Sequence, residues 1–150
     1  MSAGAATELR WVQSAAELDQ CVLVREQVFC VEQGVPKELE LDGRDPEAAH
    51  LLATAPGGAA VGTLRLLFDG ERVKVGRVAV EREWRGQGIA SQMLQAALER
   101  ARERGCTQAR LAAQTRATGV YERAGFAVES DEFEEAGIPH VWMGRALEPR

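Results

Sequence analysis

Short runs of apolar residues alternate along this chain with segments in which apolar residues recur every three or four positions. The short runs predict strands at residues 9–13, 50–54, 59–68, 73–80, 109–114, 126–129 and 140–147. The helical period predicts one helix from Ser14 to the break at residues 34–36, a second from about residue 89 to residue 101, and a third at residues 117–124. Ser14 and Glu17 form a capping box, and Asp69-Gly70 predicts a two-residue hairpin turn.

The order of these elements predicts an α/β (α+β) fold. We expect a mixed, mostly antiparallel sheet of six to seven strands with about four helices on both faces. Residues 9–150 should form a single domain, and residues 1–8 a frayed N-terminus. A chain of 150 residues can bury most of its apolar surface without disulfides.

Composition and charge exclude several classes of protein. The net charge is -5 and the basic residues are dispersed, so a nucleic acid is a poor partner. No apolar run is long enough to cross a bilayer, and residues 1–9 do not resemble a secretion signal, which predicts a cytoplasmic protein without a membrane partner. Cys21, Cys30 and Cys106 lack metal-binding spacing, so we expect reduced thiols and no metal.

The segment at residues 83–90 joins a predicted strand to a predicted helix through two glycines. Gly86 and Gly88 let backbone N–H groups approach an oxygen ligand without a Cβ atom in the way. The helix that is expected to begin at about Ile89 adds unpaired N–H groups and the positive end of its dipole. The pattern therefore predicts a cradle for a pyrophosphate.

Two common phosphate-binding motifs do not match this loop. A Walker loop needs Gly-Lys-Ser/Thr at the helix start, where this chain has Gly-Ile-Ala-Ser at residues 88–91. A Rossmann fingerprint needs a third small residue, which Ser91 only approximates, and an acidic residue about twenty positions later. Arg-Gly-Cys at residues 104–106 occupies that later place, so the pattern that remains is Arg-x-x-Gly-x-Ala at residues 85–90.

Arg-x-x-Gly-x-Ala at residues 85–90 resembles the acyl-CoA-binding signature of the GNAT superfamily of N-acetyltransferases. Tyr-Glu-Arg-Ala-Gly-Phe at residues 121–126 resembles a second element of the same superfamily, in the expected order and distance. Residues 25–33, 42–50 and 137–140 resemble its ElaA-like/YjcF-like branch. The resemblance covers roughly residues 9–147.

The resemblance implies the GNAT acyl-CoA N-acyltransferase fold, with acetyl-CoA (coenzyme A) as co-substrate. It also implies that backbone groups of residues 77–80 run beside the pantetheine arm, and that a backbone N–H near that strand end polarises the thioester carbonyl. The residues expected to bind the cofactor are Val78, Ala79, Val80, Arg85, Gly86, Gln87, Gly88, Ile89, Ala90, Ser91, Gln114 and Tyr121.

Acyl transfer to an amine needs a proton for the departing thiolate and a base for the amine. Tyr121 matches the position of the family's usual acid, and the alternative is a core tyrosine that packs against Phe126. His140 is the first candidate base because histidine changes charge nearest neutral pH, and Glu32 is a second. The wider set of candidate bases also contains Asp42, Asp45 and His50.

The acceptor is expected to be a small-molecule or peptide amine, bound among Arg25, Phe29, Glu32, Asp42, Asp45 and His140. Arg25 lies on an apolar helix face, so its guanidinium must find a ligand or, as the simpler explanation, pair with Asp42, Asp45 or Glu32. Arg65 and Arg77 lie in central strands, where solvation on the sheet face would account for them.

The leading hypothesis is an acetyl-CoA-dependent N-acetyltransferase that works by direct attack in a ternary complex. An acyl-homoserine-lactone-synthase-like acyltransferase is the first alternative, because Arg25, Phe29, Asp42 and Asp45 also resemble that family. A non-catalytic acyl-CoA-binding sensor is the second. A homodimer is a further expectation, formed through an exposed final strand.

Overall fold

The elements of the fold follow the predicted order. The computed structural model describes residues 7–149, and the predicted frayed N-terminus lies mostly outside them, although Glu8 already belongs to the first strand. The strands are β1 (Glu8–Trp11), β2 (Ala49–Thr54), β3 (Ala60–Asp69), β4 (Arg72–Val80), β5 (Gln108–Gln114), β6 (Ala127–Val128), β7 (Phe133–Glu135) and β8 (Ile138–Ala146). The α-helices are α1 (Ala15–Arg25), α2 (Lys37–Glu40), α3 (Ile89–Glu103) and α4 (Thr118–Arg123).

The described strands form one eight-stranded sheet in the order β1-β2-β3-β4-β5-β8-β6, and β7 also pairs with β8. β4 and β5 are parallel, whereas β1 with β2 and β8 with each of its partners are antiparallel. The predicted mixed, mostly antiparallel sheet is confirmed, with one strand more than expected. β7 was missed because three residues inside an acidic segment give no apolar run.

The final strand is not an exposed edge. β8 pairs with β5 on one side and with β6 and β7 on the other, so its backbone hydrogen bonds are used within the chain. The expectation that the final strand is exposed is therefore wrong, and a homodimer stays a prediction without this route, since an edge strand is the one that presents unpaired backbone groups to another chain.

The chain divides into two compact units, Met1–Arg65 with Arg77–Met93, and Leu66–Gly76 with Leu94–Arg150. Among the described residues of the first unit, the apolar core includes Val24, Val28, Leu51, Leu52, Leu64, Ile89 and Met93, all of which are buried. In the second unit the buried core includes Leu66, Leu94, Leu98, Leu111 and Met143. Each unit thus has apolar side chains of its own to bury.

The first helix begins as predicted and ends differently. The Ser14 hydroxyl accepts a hydrogen bond from the Glu17 N–H at 3.2 Å, and the Glu17 carboxylate accepts one from the Gln13 N–H at 2.8 Å. After Arg25 the helix widens into a π-helical segment, Glu26–Glu32. Such segments are rare and concentrate at functional sites. Val24 at the end of α1 and Val28 in the π-helical segment are both buried.

The hairpin between β3 and β4 is confirmed, but its turn lies one residue further along the chain. β3 continues through Asp69 and β4 starts at Arg72, so Gly70 and Glu71 form the turn. Gly70 has a φ of 59°, the left-handed conformation that glycine adopts without steric cost.

Candidate functional site

The glycine loop after β4 has the geometry of an anion cradle. Gly86 and Gly88 have φ values of 76° and 83°, and a Cβ atom built on either would meet nothing within 4 Å. The Gln92 N–H donates to the Gly88 carbonyl at 3.0 Å, so Gly88 caps α3. The N–H groups of the first helical turn have no acceptor within the helix and point out of its end. This end of α3 can therefore receive negatively charged oxygen atoms.

A close contact in the first unit fixes the position of this helix end. Ile89 is only 1% exposed, and a Cβ atom added to Gly62 of β3 would lie 3.3 Å from both Ile89 Cγ2 and Met93 Cε. Gly62 thus lets α3 approach the strand closely. Sequence reasoning missed this residue, since a single glycine within a strand is a weak signal. The Ile89 side chain belongs to the core, so only its backbone can serve a ligand.

Arg85 is held by an ion pair with Glu32. Its Nη1 and Nη2 atoms donate to the two Glu32 carboxylate oxygens at 2.5 and 2.7 Å, and its Nε donates to the Val80 carbonyl at 2.9 Å. The bond to Glu32 raises the pKa of Arg85. Glu32 can act as a base only if this two-point ion pair opens, because both of its oxygens accept from the guanidinium.

Six charged side chains of the first unit form a closed ring in which cations and anions alternate. In order around the ring they are Arg25, Glu40, Arg77, Asp42, Arg65 and Asp45, each paired with its two neighbours. We call this group the ion ring. Arg25 Nε lies 2.6 Å from Glu40 Oε1, and Asp45 Oδ1 lies 2.8 Å from Arg25 Nη1 and 2.9 Å from Arg65 Nη1. The ring carries no net charge, which makes burial of its members tolerable.

The ion ring corrects two expectations about the arginines. Arg25 pairs with Asp45 as one of the predicted partners, but also with Glu40, which was overlooked because its acidic segment reads as an exposed loop. Arg65 was expected to be solvated on the sheet face and is only 3% exposed. Three of the predicted acceptor residues, Arg25, Asp42 and Asp45, thus have partners within the chain.

Electrostatic shifts in the ring follow from its pairing. Hydrogen bonds from Arg65 hold the pKa of Asp42 well below its ordinary range, against the opposing effect of burial. Burial by itself would raise the pKa of Asp45. The hydrogen bonds and positive charges of Arg25 and Arg65 together lower it by more, so the net shift of this pKa is downward. Because the pKa values of Asp42 and Asp45 are lower in the folded than in the unfolded protein, their ionised forms stabilise the fold. This contribution to the free energy of unfolding is complete above the pKa of an unfolded aspartate, about 4, and is lost as the pH falls through the folded-state pKa values.

We predict that Arg25→Met lowers the free energy of unfolding by about 3–5 kcal/mol, because Glu40 and Asp45 would keep buried charges without their shared cation. Urea denaturation at pH 7 measures the change. Arg10→Met is the matched control, since Arg10 pairs with Glu17 while its side chain is 57% exposed, and it should change stability far less. Equal losses in the two variants would contradict a stabilising ring.

In the second unit, two predicted residues face each other across β5 and β8. Gln114 is the register partner of His140. His140 is 7% exposed, and its Nδ1 donates to the Ile138 carbonyl at 2.7 Å, which leaves Nε2 as the nitrogen with the lone pair. The imidazole stacks on Phe133 with a centroid distance of 6.0 Å. This tautomer can accept a proton at Nε2.

Tyr121 lies in α4 and packs edge-to-face on Phe126, with ring centroids 6.4 Å apart. The turn that ends α4 brings Phe126 back beside Tyr121, since the Phe126 N–H donates a hydrogen bond to the Tyr121 carbonyl at 3.0 Å. Tyr121 is 8% exposed, and burial raises its pKa to about 12. The phenol is therefore neutral and able to donate a hydrogen bond at any physiological pH.

Comparison with known proteins decides the family. The model of the acetyltransferase (GNAT) domain family matches residues 13–147. The chain belongs to the GNAT acetyltransferase family. It is 40% identical over 137 residues to protein Rv2851c of Mycobacterium tuberculosis, with 87% of this chain and 85% of that protein covered. It is 34% identical over 128 residues to the N-acetyltransferase YjcF of Bacillus subtilis, with 85% and 91% covered.

Structural comparison agrees with this assignment. Escherichia coli ElaA superimposes with a TM-score of 0.82 at 29% identity, over 92% of this chain and 99% of that one. The predicted resemblance to the ElaA-like/YjcF-like branch and the predicted GNAT fold are both confirmed. The protein is an acyltransferase, as the GNAT domain and its acetyltransferase relatives establish.

Two further findings concern residues 7–149 alone. None of their helices combines the length and the apolar character that a membrane span requires. Nor do three or more His, Cys, Asp or Glu side chains in this range come together as a set that could hold a metal ion. The three cysteines are free thiols, with Cys21 and Cys106 buried.

Proposed function

We propose that this GNAT acetyltransferase moves the acetyl group of acetyl-CoA to a primary amine by direct attack in a ternary complex. The observation that carries the proposal is the loop at Gly86 and Gly88, where left-handed backbone and open space lie before the N-terminus of α3. A pyrophosphate needs this combination of exposed N–H groups and helix dipole. The family then favours coenzyme A over other pyrophosphate ligands.

The donor site is proposed to consist of the loop and the end of β4. Backbone N–H groups of residues 86–91 would bind the pyrophosphate, and the backbone of Val78, Ala79 and Val80 would run beside the pantetheine arm. One backbone N–H near the end of β4 would polarise the thioester carbonyl, so that negative charge developing on its oxygen is stabilised. The side chains of Gln87 and Gln114 complete the proposed set of cofactor contacts, with Tyr121.

The chemical step transfers one acyl group and removes one proton from the amine. The amine nitrogen forms a bond to the thioester carbon, and the carbon–sulfur bond breaks with its electron pair on sulfur. A base removes the proton of the attacking amine, and Tyr121 is proposed to donate a hydrogen bond to the sulfur, which departs as a thiolate. The acceptor is proposed to be a small-molecule or peptide amine, and the residues proposed to line its site are Arg25, Phe29, Glu32, Asp42, Asp45 and His140.

His140 is the proposed base, since its Nδ1 is committed to the Ile138 carbonyl and Nε2 carries the lone pair. We predict that His140→Ala lowers kcat by about 100-fold, as measured by steady-state kinetics at saturating acetyl-CoA. Phe133→Leu is the control, because it removes the stacked ring but leaves the imidazole. An unaltered kcat in His140→Ala would assign the role of base to another residue.

Binding experiments test the donor site without assuming an acceptor. Titration calorimetry with acetyl-CoA, NAD⁺ and ATP compares three ligands that each contain a pyrophosphate linkage. The proposal predicts saturable binding of acetyl-CoA and at least about 100-fold weaker binding of the other two, since they lack the pantetheine arm that β4 would pair with. Equal affinity for all three would reduce the loop to a general anion site and overturn the assignment.

A further inference from the structure

Arg77 holds an unusual backbone conformation inside a strand. Among the described residues, Arg77 and Ala136 are the two non-glycine residues with positive φ, each at 53°. Ala136 lies in the turn between β7 and β8, where such values are common. Arg77 instead lies within β4, directly before Val78, and the left-handed region is disfavoured about tenfold for a residue with a Cβ atom. Something outside the residue must hold it there.

The guanidinium of Arg77 is the part that is held. Its Nε lies 3.2 Å from Glu40 Oε1, and its Nη2 donates to the Glu40 carbonyl at 3.0 Å and to Asp42 Oδ2 at 3.4 Å. The Arg77 side chain is 22% exposed, and Glu40 is only 3% exposed at its side chain. Glu40 is in turn fixed by Arg25, at 2.6 Å. The ion ring therefore anchors Arg77 to a buried and well-connected partner.

The other end of the same stretch of β4 has a second anchor. Arg85 Nε donates to the Val80 carbonyl, while its two remaining nitrogens bind Glu32. Residues 78–80 thus lie between two arginines, and both arginines are held by carboxylates from one segment, residues 32–42. A strand segment fixed at both ends holds its backbone N–H and C=O groups in a fixed orientation, which favours binding through these groups.

We propose that Glu40 and Asp42 are positioning residues that act through Arg77: the ion ring holds Arg77 in the left-handed conformation, and this conformation aims the backbone of residues 78–80 at the acyl-CoA. The inference rests on the proposed function, since it assumes that this backbone meets the coenzyme. A left-handed residue within a strand re-aims the peptides that follow it. Residues 32–42 include Glu32 and Asp42, which are also proposed to line the acceptor site. The same segment would thereby fix the backbone geometry of the acyl-CoA site.

Two substitutions at one position separate the conformation of Arg77 from its charge. Arg77→Ala and Arg77→Gly both delete the guanidinium and its ring contacts, but only glycine adopts a φ of 53° without steric cost. We expect Arg77→Ala to raise the Kd for coenzyme A and to lower kcat/KM for acetyl-CoA, each by about tenfold. Arg77→Gly should remain within about threefold of the wild type in both measurements.

Arg44→Ala is the control next to this segment, since Arg44 pairs with Glu47 at the surface and belongs to neither anchor. It should leave both quantities unchanged. Equal losses of coenzyme A affinity in Arg77→Ala and Arg77→Gly would overturn the inference, because the charge would then matter and the conformation would not. Calorimetry measures the affinity for coenzyme A without any turnover. A wild type that binds coenzyme A but acetylates no amine would therefore contradict the proposed function and leave the inference about Arg77 standing. A wild type that does not bind coenzyme A would overturn both.

Discussion

Gly88→Ala is expected to weaken the binding of coenzyme A by about 100-fold while the protein remains folded. Gly88 has a φ of 83° and caps α3, so a Cβ atom at this position would project into the open space before the helix. A methyl group there keeps an incoming oxygen atom away from the first N–H groups of the helix. A hydrogen bond to a charged group contributes about 1.5–3 kcal/mol, so the loss of one or two accounts for the predicted change.

Gly58→Ala is the control for this experiment. Gly58 has a φ of 96°, a Cβ atom at its position would also meet nothing within 4 Å, and it lies in the turn between β2 and β3. Both substitutions should therefore cost similar stability, which thermal denaturation measures. Only Gly88→Ala should lose affinity in calorimetry with coenzyme A. If the two variants bind coenzyme A equally well, the loop does not hold its pyrophosphate.

Tyr121→Phe should lower kcat by about 100-fold and leave the Kd for acetyl-CoA within about twofold of the wild type. The substitution removes the hydroxyl and keeps the ring that packs on Phe126. Steady-state kinetics at saturating amine gives kcat, and calorimetry gives the affinity. Phe126→Leu is the matched control, because it removes the ring contact and keeps the hydroxyl, so it should cost stability more than turnover.

The raised pKa of Tyr121 restricts how its hydroxyl can act. Burial raises this pKa to about 12, whereas a thiol has a pKa of about 8.5, so full proton transfer from the phenol to a thiolate is uphill. A hydrogen bond to the sulfur as negative charge develops is the role that fits these values. Because the phenol ionises only near pH 12, kcat should show no decline from Tyr121 between pH 6 and pH 10. A wild-type rate in Tyr121→Phe would leave this residue with a packing role alone.

The local elements were predictable because their signals are local. The Ser14 cap, the strand before the glycine loop and the start of α3 at Ile89 each follow from a few neighbouring residues. The loop was recognised for the same reason, since the glycines and the following helix lie within eight positions of one another. The two motifs, at residues 85–90 and 121–126, together indicated the superfamily, and the comparisons confirmed it.

The ion ring could not be predicted, because its six members come from α1, α2, β3, β4 and the segment between α2 and β2. Glu40 follows other acidic residues and carries no periodic signal, and Arg65 looks like any charged residue in a strand. Their burial depends on the simultaneous presence of partners that lie 15 to 37 positions apart. The left-handed conformation of Arg77 is likewise invisible in sequence, since nothing about an arginine in a β-branched run indicates positive φ.

Amine-dependent release of coenzyme A from acetyl-CoA tests the central claim most directly. The purified protein is incubated with acetyl-CoA and a panel of small-molecule and peptide amines, and free thiol is followed together with the mass of each amine. The proposal predicts that at least one amine gains an acetyl group in step with thiol release, and that Gly88→Ala loses this activity at low acetyl-CoA concentration. Tight binding of acetyl-CoA without thiol release on any amine, or release only with an acyl-carrier protein and S-adenosylmethionine, would contradict it.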